Sequence, residues 1–243
     1  MALFQRIFFA AVLAGLIAGL GMSALQQWRV APLILQAELY ENADPEETVA
    51  HEHDTATAPH EHEHDETAWA PQDGPERIFY TVLADLLAAI GFALLLAAVA
   101  LLSGIEITAA NGVLWGLAGF AVFQLSPAFG LAPELPGMPA ANLVARQIWW
   151  WGCALATATA IFGVARFRSW PAVAIAIVLI LLPHVIGAPR LTGAHESGVP
   201  AHLATEFAAS TLFVGAAFWL SVGPLLGWLN ERFARSANQA VPA

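Results

Sequence analysis

Five histidines, His51, His53, His60, His62 and His64, alternate with Glu52, Asp54, Glu61, Glu63 and Asp65 in one acidic stretch of an otherwise apolar chain that contains eight histidines in all. Imidazole nitrogens interleaved with carboxylates suit borderline divalent ions such as Co²⁺, Ni²⁺ and Zn²⁺, and the acidic field draws cations in. The stretch reads as a metal-collecting loop whose composition predicts disorder in the absence of metal. A loop that is only solvated is the plainer alternative.

Ionisable groups inside apolar stretches are the next places to look, because a charge in a bilayer needs water, a proton, a cation or a partner. Asp85 lies about two turns inside an apolar run and is either an internal cation site or the partner of Arg146. Arg146 could equally orient Glu134 or reach the membrane surface. His202 and Glu206 stand four apart, on one face of a helix, where one metal can take both side chains. His184 closes another apolar run after Pro183, and His195 with Glu196 falls in a short connector. Cys153, the single cysteine, sits among tryptophans in an apolar run and reads as a small packing residue.

The elements that must position these groups are membrane helices. Hydrophobic residues make up 58% and charged residues 12% of the 243 positions, a composition expected of an all-α integral membrane protein. Stretches near the roughly 20 residues that cross a bilayer lie around Phe4–Leu25, Ile78–Leu102, Gly112–Ala128, Ala145–Ala165, Trp170–Gly187 and Leu203–Leu226. Six spans are expected, or five if the first is a cleaved signal peptide. The chain thus divides into a first helix (1–28), an acidic His-rich outer loop (29–77), a helix bundle (78–228) and a tail (229–243). With no lysine present, Arg6, Arg166, Arg168, Arg232 and Arg235 fall on one face and Arg29, Arg77, Arg146 and Arg190 on the other, and the long acidic loop decides that the first set is cytoplasmic, which puts that loop and all eight histidines on or near the outer face.

Gly15 with Gly19 and Gly112 with Gly116 have the spacing of close helix contacts, although ordinary membrane-helix composition is the favoured explanation. The formal net charge of −10 disfavours nucleic acid as a partner. No glycine-rich phosphate loop and no HExxH or Ser/His/Asp pattern supports nucleotide hydrolysis or any other enzyme.

Several motifs, in this order, resemble one family. They are the outer His/Asp/Glu loop, Pro133-Glu134-Leu135-Pro136-Gly137, the Arg146-Gln147 and Trp149-Trp150 run, Pro183-His184 with Gly187-Ala188-Pro189, and Pro200-Ala201 followed by Leu203 and Phe207. Together they are similar to the CbtA family of predicted cobalt transporter subunits, over nearly the whole chain. The resemblance implies a bacterial inner-membrane protein, with its His-rich loop in the periplasm, that serves cobalt supply for cobalamin synthesis. It also implies a small single-span, histidine-containing partner, CbtB, and a family pattern of about five spans. The expected function is uptake of a divalent metal, with Co²⁺ as transient cargo and no resident cofactor. The alternative is a metal-binding or sensing subunit that regulates a separate transporter. Metal capture by the loop should weaken as pH falls through about 6.5, where free histidine takes up its proton. Equal binding by the purified loop peptide at about pH 8 and pH 5 would exclude imidazole ligation.

Overall fold

The computed structural model describes residues 3–41, 69, 71–191 and 197–239. His51, His53, Asp54, His60, His62, His64, Asp65, His195 and Glu196 lie outside the described residues. Seven helices make up the described part: α1 (Leu3–Arg29), α2 (Ala31–Glu41), α3 (Pro75–Ser103), α4 (Gly112–Ala128), α5 (Leu143–Phe167), α6 (Trp170–Ile186) and α7 (Ala201–Gln239). No strand occurs among the described residues.

Helix boundaries follow local chemistry. Pro75 occupies the first turn of α3, where its missing N–H costs nothing. Gly104 ends that helix in a left-handed conformation, with φ +68°, so that the Ile105 N–H reaches back to the Ala100 carbonyl at 3.2 Å. Asn142 caps α5 by accepting the Ala145 N–H at 3.1 Å. Arg168 at φ +47° then turns the chain sharply, so that α5 and α6 form an antiparallel hairpin.

An apolar helix stands at each of the six expected positions. Four of them, α1, α3, α5 and α7, are long and apolar enough to cross a membrane, whereas α4 and α6 are shorter. Two boundaries depart from the sequence reading. Residues 29–77, read as one loop, open with α2, and the expected tail after residue 228 continues α7 to Gln239. The apolar residues Val30, Leu33 and Ala37 explain the first departure, since they pack on Leu135, Val199, Leu203 and Phe207 over the end of the bundle. Arg77 at the start of α3 holds Glu38 of α2 through both guanidinium nitrogens, and also Asp73 at 3.1 Å. The two flanks of the undescribed segment 42–68 are therefore tied together.

Small residues set how the helices meet. Ala10, Ala11, Ala14 and Ala18 of α1 are buried against Ala89, Ala93 and Ala97 of α3. A methyl group at Gly15 would stand 2.6 Å from the Ile90 Cα, and one at Gly19 would stand 2.8 Å from the Ala89 Cβ. On the other side of the bundle, Gly112 and Gly116 of α4 lie on the backbone of α7 at Gly223, Pro224 and Trp219, and Gly227 lies on Thr108. The glycine spacings therefore mark close helix contacts, backbone to backbone at Gly15, Gly112 and Gly116, and not mere composition. Phe123 stacks on Trp219 with ring centres 5.6 Å apart, and Phe92 meets the same indole at 5.1 Å.

Because backbone cannot yield as a side chain can, Gly15→Val and Gly116→Val should each cost at least the ~1–3 kcal/mol typical of overpacking. Gly21→Ala, with open space around it, should leave stability unchanged or slightly raised. Thermal unfolding in detergent, followed by size-exclusion fluorescence, checks this. Equal midpoints for Gly116→Val and Gly21→Ala would show that the α4–α7 contact is not tight.

Candidate functional site

The C-terminal end of α4 organises the polar groups of the bundle. Residues Ala121–Leu125 form a π-helical turn, closed by the Ser126 N–H on the Ala121 carbonyl, and Pro127 follows within the helix. One extra residue in the turn rotates the side chains beyond it by about 100°. Ser126 meets α5 as a result, while Gln124 meets α7 at Gly215.

A chain of polar contacts starts at Ser126. Its hydroxyl oxygen accepts the Thr157 Oγ1 proton at 2.8 Å, and the same hydroxyl is hydrogen-bonded to the Cys153 thiol at 3.2 Å. The same sulfur lies 3.8 Å from Nε2 of His184 on α6. The His184 ring is held edge-on by Trp149 at 5.7 Å and Phe129 at 6.2 Å. Trp149 is fixed in turn, because its indole N–H donates to the Pro183 carbonyl at 3.0 Å. Ser126 and Thr157 are buried, Cys153 fully so, and His184 is half-buried.

Thiolate and imidazole are the donor pair that tetrahedral borderline ions accept. With metal–sulfur bonds of about 2.3 Å and metal–nitrogen bonds of about 2.0–2.1 Å, two such ligands stand roughly 3.5 Å apart. The observed separation is a few tenths of an ångström wider, so one ion could draw both donors in with little movement. No group of three or more His, Cys, Asp or Glu side chains stands ready to hold a metal among the described residues. Any ion here would complete its shell with hydroxyls, backbone oxygens or water.

The other expected site residues are dispersed. Asp85 accepts the Ser23 hydroxyl at 2.9 Å on the α1–α3 seam. It is not the partner of Arg146, whose guanidinium holds Glu134 at 2.6 Å instead. His202 and Glu206 lie one turn apart and exposed at the start of α7, and neither takes part in an ion pair among the described residues.

Cys153 is the residue that sequence reasoning set aside. A signal for it existed, since Cys153 precedes Arg168 by fifteen residues and His184 follows Ser169 by fifteen. In an antiparallel hairpin that turns between Arg168 and Ser169, those two positions fall at equal depth.

Helices that are long, apolar and built on small-residue seams define a multi-pass membrane protein, here with a thiol–imidazole pair between two of its helices. The chain belongs to the CbtA family, described as a probable cobalt transporter subunit, and the match covers residues 4–231. No curated protein and no solved structure shows significant similarity to the chain.

The Ser126 hydroxyl serves two buried neighbours, so Ser126→Ala should cost ~1–3 kcal/mol by leaving the Thr157 hydroxyl without a partner. Adding Thr157→Val should recover part of that loss, and a double-mutant cycle on unfolding free energies measures the coupling. Strict additivity would mean that the two hydroxyls do not interact.

Proposed function

We propose that this chain is the membrane subunit through which a divalent metal, cobalt, enters the cell. The observation that carries the reading is the contact of Cys153 with His184 inside the helix bundle of a cobalt transporter family member. Sulfur and imidazole donors favour cobalt, nickel and zinc over magnesium and calcium, whose ligands are oxygens. Two protein donors form a weak site, and transport needs weak sites in series, because a closed cage would retain the ion.

In this reading six helices cross a bacterial inner membrane, with α4 and α6 as short spans, and both termini are cytoplasmic. The arginines at Arg6, Arg166, Arg168, Arg232 and Arg235 support that orientation. The histidines of segment 51–65 then face the periplasm and collect Co²⁺ above the bundle, with Ni²⁺ and Zn²⁺ as competitors. The tie of Arg77 to Glu38 and Asp73 anchors that segment to the bundle at both flanks. His202 and Glu206, exposed at the start of α7, offer an intermediate stop, and His184 with Cys153 receives the ion within the helices. Asp85, hydrogen-bonded at a helix seam, is read here as structural support beside the route. The membrane potential supplies about 2.3 kcal/mol per charge per 100 mV for inward movement. A small single-span, histidine-containing CbtB-like subunit is the proposed partner, since the family description is that of a subunit. Cobalamin synthesis is the proposed destination of the metal.

Radiolabelled Co²⁺ uptake tests the reading in cells that lack their own cobalt carriers, with and without the small partner. Cys153→Ser and His184→Ala should each reduce uptake about tenfold or more, by analogy with other perturbed metal ligands. Replacing the five loop histidines by alanine should raise the half-saturating concentration and spare the maximal rate. Full uptake in both the Cys153 and His184 variants would remove the pair from the route. Metal binding by the purified chain without uptake under any condition would favour the sensing subunit.

A further inference from the structure

Helix α5 meets the rest of the bundle, apart from α6, chiefly through the C-terminal end of α4. Toward the Arg168 turn a groove of about 920 Å³ opens between α3, α4 and α5. Leu95, Val99, Leu114, Ala118, Ile161 and Phe162 are among its walls. A water molecule needs about two to four polar partners, which such walls lack. An empty groove would forfeit the dispersion contacts of every side chain that lines it. Hydrocarbon therefore has to fill the groove when the helices lie in a bilayer.

Length and charge decide which hydrocarbon. The lining runs from Leu95 to Ser103 on α3, from Asn111 to Phe123 along α4 and from Ala158 to Arg168 along α5, which is roughly 15 Å at the rise of a helix. A hydrocarbon core is about 30 Å thick, so the groove has the depth of one leaflet and is too short to seat a spanning helix. All three stretches reach their polar residues at the same end, where Ser103, Asn111, Arg166 and Arg168 lie. The two arginines are the only charged residues that line the groove. Both are exposed, and neither forms an ion pair among the described residues. Glu106, in the connector before α4, lines a separate hollow with Arg6. The side chains of Ser103 and Asn111 are engaged by nearby backbone, which leaves the guanidinium groups as the donors for a ligand. Arg168 stands at φ +47°, a helix-end conformation that glycine and asparagine take most readily, so the turn itself does not call for arginine.

We propose that this groove binds an anionic phospholipid, its acyl chains laid along α3, α4 and α5 and its phosphate held by Arg166 and Arg168. Guanidinium forks match phosphate oxygens, and basic pockets between membrane helices bind acidic headgroups. The lipid supplies, near the hairpin turn, the packing that protein side chains supply at Ser126. Assignment to the cytoplasmic leaflet rests on the orientation proposed above. Binding itself rests only on the helices lying in a bilayer, and its test involves no metal, so it stands or falls apart from cobalt uptake.

The test offers the full-length chain, in mild detergent, equal amounts of phosphatidylglycerol and phosphatidylcholine with identical acyl chains, and counts retained lipid by native mass spectrometry. The unsubstituted chain should retain phosphatidylglycerol about tenfold or more over phosphatidylcholine, on the scale of two basic residues near an acidic headgroup. Arg166→Gln with Arg168→Asn should bring that preference close to unity, whereas Arg232→Gln with Arg235→Gln, which removes the same charge away from the groove, should leave it in place. Ala158→Trp, which fills the groove, should lower retention of both lipids. Unfolding midpoints in lipid-free detergent that match the unsubstituted chain show that the variants fold, and added phosphatidylglycerol should raise the midpoint of the unsubstituted chain but not of the Arg166 and Arg168 variant. Equal retention of the two lipids by the unsubstituted chain would overturn the proposal, as would a preference that survives loss of Arg166 and Arg168. An equal fall in the Arg232 and Arg235 variant would also overturn it, because a diffuse basic face would then account for the effect. A lipid-free dimer would overturn it in favour of a second copy of the chain over the groove.

Discussion

Backbone laid directly on backbone is the constraint from which the rest of this structure follows. In a bilayer, lipid tails are as apolar as any leucine, so helices gain little from burying large side chains against each other, and close approach must supply the attraction. Glycines and alanines provide it along two seams, α1 with α3 and α4 with α7. Because Gly112 and Gly116 pin the N-terminal part of α4 to α7, the C-terminal part of α4 is held at a fixed distance from both α7 and α5. The π-turn then decides which side chains point each way.

That arrangement explains why the polar groups gather where they do. A regular α-helix through residues 112–128 would keep one face on α7 throughout. The π-turn at Ala121–Leu125 breaks this register, so that Gln124 is delivered to the α7 side and Ser126 to the α5 side. Such turns are uncommon and are frequent at functional sites. Pro127, which cannot donate a backbone hydrogen bond, and Gly215, which makes room for an amide, are the sequence features that accommodate it.

The apolar stretches and their order were legible from the sequence, because membrane helices leave a composition signal as long as the bilayer is thick. The family resemblance was legible as well, through short motifs in a fixed order. The glycine spacings were visible but ambiguous, since only a partner helix shows whether the space is used. Cys153 was visible as a residue and its contact with His184 was not, for that partner is remote in sequence and joined to it only by the symmetry of a hairpin. Asp85 stood out in the sequence as a carboxylate in an apolar stretch, whereas its hydrogen bond with the Ser23 hydroxyl on the neighbouring helix is visible only in the structure. Gln124 drew no attention, because an amide in a greasy helix has no signature until the turn that redirects it is seen.

The α5–α6 hairpin leans on the remaining helices chiefly through the end of α4. Toward its Arg168 turn it is set apart by an apolar groove of about 920 Å³, bounded by α3, α4 and α5. The molecule thus divides into glycine-knit helices and a hairpin that joins them near Ser126. Both members of the thiol–imidazole pair belong to the hairpin, one on each limb. The separation of sulfur and nitrogen is therefore set within the hairpin, and their surroundings by the helices it rests on.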